Sequence, residues 1–302
     1  MDTTLRWASI TAIAPVAWGT NYYVTHHYLP ADHPLYGAVF RALPAGLLLL
    51  CLARRRPTGD WWWKSFVLGV CNVGAFFALI YLASQLLPVS VASTIMSTAP
   101  VAMGLFAWAL LAERPTLAVV LGSAAGIAGV CLMLGTAQDG VNLRGVAASL
   151  AAVTMSSFGY ALSKKWGRSG DLLATTSWQL IAGGLAVVPF ALIVEGAPPS
   201  LDLPAAAGFV YVVLVATAGA YLAWFAGLRH LSAASVGIIG LLNPLTGVLL
   251  GTTLSGEHLT IKQLLGMLLI LGGILLIRPR RPVGGASSTE GLQSAGSIRG
   301  PV

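Results

Sequence analysis

The chain has 302 residues, of which 9% are charged and 56% hydrophobic, its net charge is +7, and its mean hydropathy is +0.80. Ordinary soluble domains carry roughly 25% charged residues, so these charges are too few to cover a water-soluble protein of this size. Residues 65–112 carry no charge at all, which is length enough for two membrane spans of roughly 20 residues each. The composition therefore predicts an integral membrane protein that crosses the bilayer several times.

Ten membrane-spanning helices are predicted from the lengths of the apolar runs, which gives an all-α fold. The first begins within MDTTLRWASITAIAPVAWGT, which lacks the cleavage site of a signal peptide. In chain order the predicted helices cover 5–26, 34–53, 61–84, 88–111, 115–135, 142–164, 171–194, 203–227, 232–254 and 261–278. The polar residues 282–302 are predicted to form a disordered cytoplasmic tail.

The basic residues predict the orientation in the membrane. Most of the 17 Lys and Arg residues fall in the amino terminus, in the loops after the second, fourth, sixth and eighth predicted helices, and in the tail. Cytoplasmic loops are rich in these residues, so both termini are predicted to be cytoplasmic, and a bacterial inner membrane is the expected location. The positive net charge then reflects topology, and the expected partners are the lipid bilayer and a small molecule, with no nucleic acid.

The two halves of the sequence resemble each other at a constant offset. The stretches STAPVAMGLFAWALLAERPT (97–116) and LLNPLTGVLLGTTLSGEHLT (241–260) lie 244 − 100 = 144 residues apart. The ungapped matches are Pro100 with Pro244, Glu113 with Glu257, Thr116 with Thr260, Gly122 with Gly266, and Gly129 with Gly273. The repeats are predicted over 1–139 and 140–281. Each holds five helices, an odd number, so the second enters the membrane from the opposite face, which is typical of transporters that work by alternating access.

Several segments also resemble a known family. GEHLTIKQLLGMLLILGGILLIRP (256–279) and AERPTLAVVLGSAAGIAGVCLML (112–134) are similar to the end of an EamA-type repeat of the drug/metabolite transporter superfamily, and WGTNYY (18–23) and FRALPAGLLLL (40–50) resemble its opening. The resemblance implies a ten-helix exporter or facilitator of small metabolites, with a central cavity between two inverted repeats. Within that superfamily it points to the aromatic amino acid exporters. The second repeat departs from the first at Gln179, which stands where the first has Arg41.

Aromatic and amide side chains within the predicted spans are the candidates for a substrate site. Mid-span Tyr and Trp keep a polar atom that needs a partner, so several of them are expected to face a cavity. The candidate lining residues are Trp18, Asn21, Tyr22, Phe77, Tyr81, Ser97, Phe158, Trp178, Gln179, Tyr221, Trp224 and Asn243. Such a wall suits a neutral, amphipathic solute, either an amino acid with a large or aromatic side chain or an aromatic drug.

The prolines and the charged residues of the spans have two interpretations each. Pro100 and Pro244 leave a carbonyl unpaired in a helix and are predicted to bend it beside the cavity, as a gate or as a packed kink. Arg41 either binds a substrate carboxylate, pairs with Glu257 or with helix-end carbonyls, or extends outward to the interface. Glu113 and Glu257 are predicted at helix ends, where each fastens the tip of its repeat.

The remaining signals limit the function. No carboxylate lies deep in a predicted span, which favours a uniporter over an ion-coupled pump. The alternative is a multidrug or nucleotide-sugar-like transporter of the same superfamily, coupled to protons. No H-E-x-x-H motif, paired aspartates or facing Ser–His pair occurs, so no enzyme, metal or cofactor is predicted. Glycines of the fifth and tenth helices predict close helix packing, within a monomer or in a weak homo-oligomer.

Overall fold

The fold is seen in a computed structural model, which describes residues 3–96, 98–112, 117–134, 142–166, 171–230, 239–240 and 242–276. Among these residues there is no strand. Numbered in chain order, the helices are α1 Thr3–Tyr28, α2 Pro34–Ala53, α3 Trp61–Leu86, α4a Val89–Met96, α4b Ala99–Leu111, α5 Leu117–Leu134, α6 Leu143–Trp166, α7 Leu172–Val194, α8 in the three segments Leu203–Val213, Leu214–Gly219 and Ala220–His230, α9 Leu242–Thr253, and α10 Ile261–Leu276.

The outer surface of these helices is apolar. Five of the described helices, α2, α3, α6, α7 and α8, have the length and apolar composition needed to cross a membrane. Large apolar side chains on the outside stay exposed, for example Ile193 at 81% and Leu143 at 77%. A soluble monomer rarely exposes so much apolar surface. The protein is therefore an all-α integral membrane protein.

Local sequence signals set where the helices begin. Pro34 opens α2, where the missing proline N–H costs nothing because the first N–H groups of a helix have no intrahelical partner. Asp171 caps α7, because its Oδ1 accepts hydrogen bonds from the backbone N–H groups of Leu173 and Ala174 at 3.0 and 3.3 Å. Asp202 caps α8 in the same way through the N–H of Ala205, at 2.8 Å.

The two matched prolines begin helices and do not bend them. Pro100 lies in the first turn of α4b, which is separate from α4a, and Pro244 is buried in the first turn of α9. The predicted single helix over 88–111 is thus two helices. A proline is tolerated in the first turn of a helix and is disruptive further inside. Pro100 therefore marks where the chain restarts as α4b, which corrects the predicted bend of one helix to a helix start, and Pro244 has the same early position in α9.

The contacts between the repeats are the same when the repeats are exchanged. Helix α1 packs on α8 and α9, and its counterpart α6 packs on α3 and α4b. Helix α2 packs on its own counterpart α7, and α5 packs on α10. Exchanging each helix for the one five positions along therefore returns the same set of pairs, as two inverted copies of one unit require.

Glycines allow α5 and α10 to touch along their backbones. A Cβ added at Gly129 would lie 2.6 Å from the Gly266 carbonyl oxygen, and one added at Gly273 would lie 2.8 Å from the Gly122 carbonyl oxygen. Only glycine fits at such distances. All four are the matched glycines of the 144-residue repeat, and the close packing that they predicted occurs within one chain.

Helices α3 and α8 each contain a wider, π-helical segment at the same place in the repeat. The segments cover Val70–Gly74 and Leu214–Gly219, and 214 − 70 = 144, the offset of the sequence repeat. A π segment adds a residue to the turn, which disturbs the backbone hydrogen bonding, and such segments occur frequently at functional sites. The two π segments therefore indicate where in the molecule a substrate site is expected.

Candidate functional site

Arg41 of α2 reaches across to the π segment of α8. Its Nε donates to the Thr217 hydroxyl at 2.7 Å, and its Nη2 donates to the Ala216 carbonyl at 3.1 Å. Its guanidinium carbon lies 4.0 Å from the centre of the Phe77 ring, a cation–π contact. The side chain is buried, and it neither pairs with Glu257 nor extends to the surface. Of the contacts expected for Arg41, the one with helix-end carbonyls is closest to the contact observed. The Ala216 carbonyl, however, lies in the middle of α8 and not at its end.

Gln179 of α7 makes the equivalent contact with the π segment of α3. Its Oε1 accepts a hydrogen bond from Asn72 Nδ2 at 3.2 Å. Gln179 and Arg41 occupy the same position in their helices, since 179 − 172 and 41 − 34 both equal 7. Asn72 enters this space because Gly159 of α6 has no side chain; a Cβ there would lie 2.0 Å from Asn72 Oδ1.

A small cavity lies beside Arg41, which we call the Arg41 cavity. Its volume is about 10 Å³, room for about one water molecule. The Tyr81 hydroxyl donates to the Pro30 carbonyl at 2.6 Å, and Gln85 Nε2 donates to the Thr25 carbonyl at 2.6 Å, so hydrogen bonds hold one side of it closed. The lining residues are Asn21, Thr25, Leu29, Gly37, Arg41, Phe77, Tyr81 and Val212.

A second cavity lies beside Gln179, which we call the Gln179 cavity. Its volume is also about 10 Å³. Phe77 in the first cavity and Tyr221 in the second occupy matched positions, because 221 − 77 = 144. The lining residues are Asn72, Val73, Tyr160, Thr176, Gln179, Leu180 and Tyr221. The two cavities therefore share two matched positions, Arg41 with Gln179 and Phe77 with Tyr221, with different side chains.

An aromatic cluster stands next to both π segments. Trp18 donates from Nε1 to the Ala216 carbonyl at 3.1 Å, the same oxygen that Arg41 uses. Its ring centre lies 5.8 Å from that of Tyr221 and 5.2 Å from that of Trp224. Tyr22 is buried nearby, with 3% of its surface exposed. These predicted site residues lie together.

Other predicted lining residues line neither cavity. Trp178 is near the start of α7, where its Nε1 donates to the Arg55 carbonyl at 2.8 Å, so it points away from Gln179 and from both cavities. Phe158 packs against Phe106, with ring centres 5.5 Å apart. Asn243 sits half-buried in the first turn of α9, and its Oδ1 accepts no hydrogen bond from the described residues. Ser97 and Glu113 lie outside the described residues.

Two carboxylates of the second repeat hold helices of the first. Glu257, after α9, accepts hydrogen bonds from the N–H groups of Val89 and Ser90 at 2.6 and 3.1 Å and from the Ser90 hydroxyl at 2.5 Å. Glu195, after α7, accepts from the N–H groups of Leu35 and Tyr36 at 2.7 and 2.9 Å. Each carboxylate therefore caps a helix N-terminus. Glu257 was expected to fasten its own repeat, and the structure instead has it fastening the other.

These caps define one end of the molecule, which we call the Glu257 end; the starts of α3 and α7 define the opposite Asp171 end. At the Asp171 end Arg55 lies 3.6 Å from the Asp171 carboxylate. The Arg41 cavity includes Leu29, just beyond α1, and is nearer the Glu257 end. The Gln179 cavity includes Thr176, in the second turn of α7, and is nearer the Asp171 end.

Sequence reasoning missed several residues of this site, among them three with polar contacts. Thr217 and Tyr160 contribute polar groups to the Arg41 contact and to the Gln179 cavity, and Glu195 caps α2. Tyr160 carried the signal that selected Tyr22 and Tyr221, because it is a tyrosine within a predicted span. Thr217 had no such signal, because it is neither aromatic nor an amide.

Comparison with known proteins agrees with this architecture. The pattern of the EamA-like transporter family matches residues 5–135 and 143–278, almost the whole chain and once per repeat. The chain belongs to the EamA-like transporter family. Several of its relatives are named as transporters or efflux pumps, and together with the family they indicate a transport protein and not an enzyme.

Individual EamA relatives cover nearly the full length. The chain is 35% identical to protein PecM of Dickeya dadantii over 88% of this chain and 90% of that one. It is 26% identical to the probable amino-acid metabolite efflux pump of Salmonella typhimurium, over 88% and 93%. A solved crystal structure matches with a TM-score of 0.64 at 18% identity, over 90% and 96%, which supports the fold alone.

Proposed function

We propose that this EamA transporter moves small amphipathic metabolites, and that amino acids with large or aromatic side chains are its substrates. The observation that carries the proposal is the pair of cavities at equivalent positions of the two repeats, each with an aromatic ring, Phe77 or Tyr221, beside a polar side chain that contacts a π segment. Ligand sites combine an apolar wall with a few polar groups in this way. The name of the Salmonella relative supports an amino-acid substrate.

The exchange symmetry of the helix contacts supports transport by alternating access. If the two repeats swap conformations, a site closed at one end becomes closed at the other. The Glu195 and Glu257 caps then serve as the closure at one end, because each joins the two repeats through hydrogen bonds that water can replace. The distribution of Lys and Arg favours an orientation with that end outside the cell and both termini in the cytoplasm.

Substrate movement is expected to follow the substrate gradient. Among the described residues each Asp and Glu lies in a loop or at a helix end, and none lies within a span. Proton- and sodium-coupled carriers usually keep such a carboxylate at membrane depth. Uniport, or exchange of one substrate for another, therefore fits better than proton antiport.

Counterflow with the purified protein in liposomes tests the proposal. Vesicles loaded with unlabelled L-phenylalanine should accumulate labelled L-phenylalanine when no pH or ion gradient is present. Sugars and cationic drugs serve as competitors. Accumulation that strictly needs a proton gradient would remove uniport, and competition by cationic drugs but not by amino acids would replace the proposed substrate class with the multidrug alternative.

Tryptophan variants locate the substrate. Trp18→Ala and Trp224→Ala should change the order of preference among leucine, phenylalanine and tryptophan, because both rings lie in the cluster beside the π segments. Trp178→Ala is the matched control, since its indole is bonded to Arg55 away from the cavities. An unchanged order in both cluster variants would contradict the aromatic site.

A further inference from the structure

Arg41 is a buried cation without a counter-charge. Only 7% of its surface is exposed, and among the described residues it has no acidic partner within ion-pair distance. The ionisable side chains close enough to interact electrostatically with Arg41 are Tyr22 and Tyr221, and tyrosine is neutral at pH 7. A buried charge is costly unless it is paired. The structure thus supplies one half of an ion pair.

The guanidinium is held in place and keeps donors to spare. The Phe77 ring lies against the guanidinium, and hydrogen bonds to Thr217 and Ala216 hold it from the side. Those bonds use two of its five N–H donors, and the other three make no hydrogen bond to a described residue. A carboxylate is the acceptor that fits two parallel guanidinium N–H groups best.

The same cavity holds an unused acceptor. Asn21 is 97% buried, being 3% exposed, and its Oδ1 receives no hydrogen bond from any described residue. A buried amide oxygen normally has a donor. A cavity that presents a cation and a free carbonyl oxygen together matches a zwitterion. Its carboxylate would contact the Arg41 guanidinium, and its ammonium would contact Asn21 Oδ1.

We propose that the Arg41 cavity binds the main-chain end of an α-amino acid, with the carboxylate on Arg41 and the ammonium on Asn21. This inference rests on the proposed function and adds to it the group that is recognised and the repeat that recognises it. The Gln179 cavity has no such charge, so the two cavities divide the substrate between them. With a volume of about 10 Å³, the Arg41 cavity is closed here. It widens when the hydrogen bonds of Tyr81 and Gln85 separate.

Substrate analogues test the assignment on the unaltered protein. L-phenylalaninamide keeps the ammonium and lacks the carboxylate, and N-acetyl-L-phenylalanine keeps the carboxylate and lacks the ammonium. Each should compete with labelled L-phenylalanine in liposomes about ten to a hundred times more weakly than L-phenylalanine itself, the range for one lost hydrogen bond to a charged group. Equal competition by phenylalaninamide would overturn the proposal without any variant.

Variants then assign each group to its residue. Arg41→Gln should abolish the preference for phenylalanine over phenylalaninamide, and Asn21→Leu should abolish the preference over the acetylated analogue. Thr253→Val is the control variant: it lines neither cavity and its hydroxyl bonds to Leu249 of its own helix, so both preferences should remain. A role that is only structural would change the amount of folded protein without changing these ratios.

The outcomes separate this inference from the proposed function. If no amino acid is transported, the proposed function fails. If amino acids are transported and folded Arg41→Gln keeps the carboxylate preference, only this inference fails. Gel filtration and thermal unfolding report folding, and Arg41→Lys, which retains the charge, replaces Arg41→Gln if that variant does not fold: it should keep part of the preference, and a full loss would contradict the charge pairing.

Discussion

The Arg41 and Gln179 cavities occupy equivalent places in the two repeats and differ in charge. In each, the eighth residue of a helix contacts the π segment of the other repeat. One is a cation whose partners are a hydroxyl and a backbone carbonyl, and the other is a neutral amide whose partner is Asn72. The same backbone therefore supports one charged and one neutral cavity.

This difference shows which parts of a repeat are free to change. The helix order, the π segments and the contact across the repeats are common to both halves, because helices of an inverted pair pack on each other in the same way. The side chains that end in the cavities differ, because no packing rule requires them to match. An asymmetric substrate needs that asymmetry, since its polar and apolar ends require different surroundings.

The largest effect is expected from a substitution that fills the space occupied by Asn72, which disturbs the Gln179 cavity alone. Gly159→Ala puts a Cβ 2.0 Å from Asn72 Oδ1, and overpacking of this kind lowers the free energy of unfolding by about 1–3 kcal/mol. Thermal unfolding in detergent measures it. Gly272→Ala is the control, because a Cβ there meets nothing within 4 Å. Equal stability of the two variants would mean that Asn72 does not occupy this space.

The next effect compares the two caps at the Glu257 end. Glu257→Ala should lower the free energy of unfolding by about 1–2 kcal/mol, since it leaves helix N–H groups without an acceptor. Glu195→Ala should lower it less, because Glu195 accepts two hydrogen bonds where Glu257 accepts three. Both should also make cysteines placed at this end more accessible to a membrane-impermeant thiol reagent. A larger effect from Glu195 would reverse this ranking.

A smaller effect tests the contact that holds Arg41. Thr217→Val removes the acceptor of the 2.7 Å bond from Arg41 Nε and should lower the free energy of unfolding by about 1 kcal/mol. Thr253→Val, on an exposed part of α9 where the hydroxyl bonds only to Leu249 of its own helix, provides the control, with no loss expected. Thermal unfolding of both proteins decides whether the bond across the repeats matters.

The smallest effect concerns Trp178, which lies near the Asp171 end and lines neither cavity. Trp178→Phe keeps the ring and removes the hydrogen bond to the Arg55 carbonyl, so the loss should be about 0.5–1 kcal/mol. Substrate preference in counterflow should stay as in the wild type. A changed preference would bring Trp178 back as a lining residue and weaken the contrast between the two ends.

The sequence alone was sufficient for the class of fold. Apolar length and the scarcity of charge require membrane helices, because each backbone polar group in lipid must be bonded within its own segment. The offset of 144 residues predicted two inverted units, and the family model does match the chain twice; motif order indicated the family. The sequence also identified residues whose rings are in contact, such as Trp18, Tyr221 and Trp224, because mid-span aromatic residues with polar atoms need partners.

Only the tertiary structure decided what each side chain contacts. The sequence left Arg41 with several partners and assigned Glu257 to its own repeat, and it expected Pro100 and Pro244 to bend helices. Trp178 and Gln179 are neighbours in sequence, yet Gln179 contacts Asn72 and Trp178 contacts the Arg55 carbonyl. The rotation of each helix about its axis follows from packing against the other repeat. Apolar faces give little guidance when lipid and protein interior are both apolar.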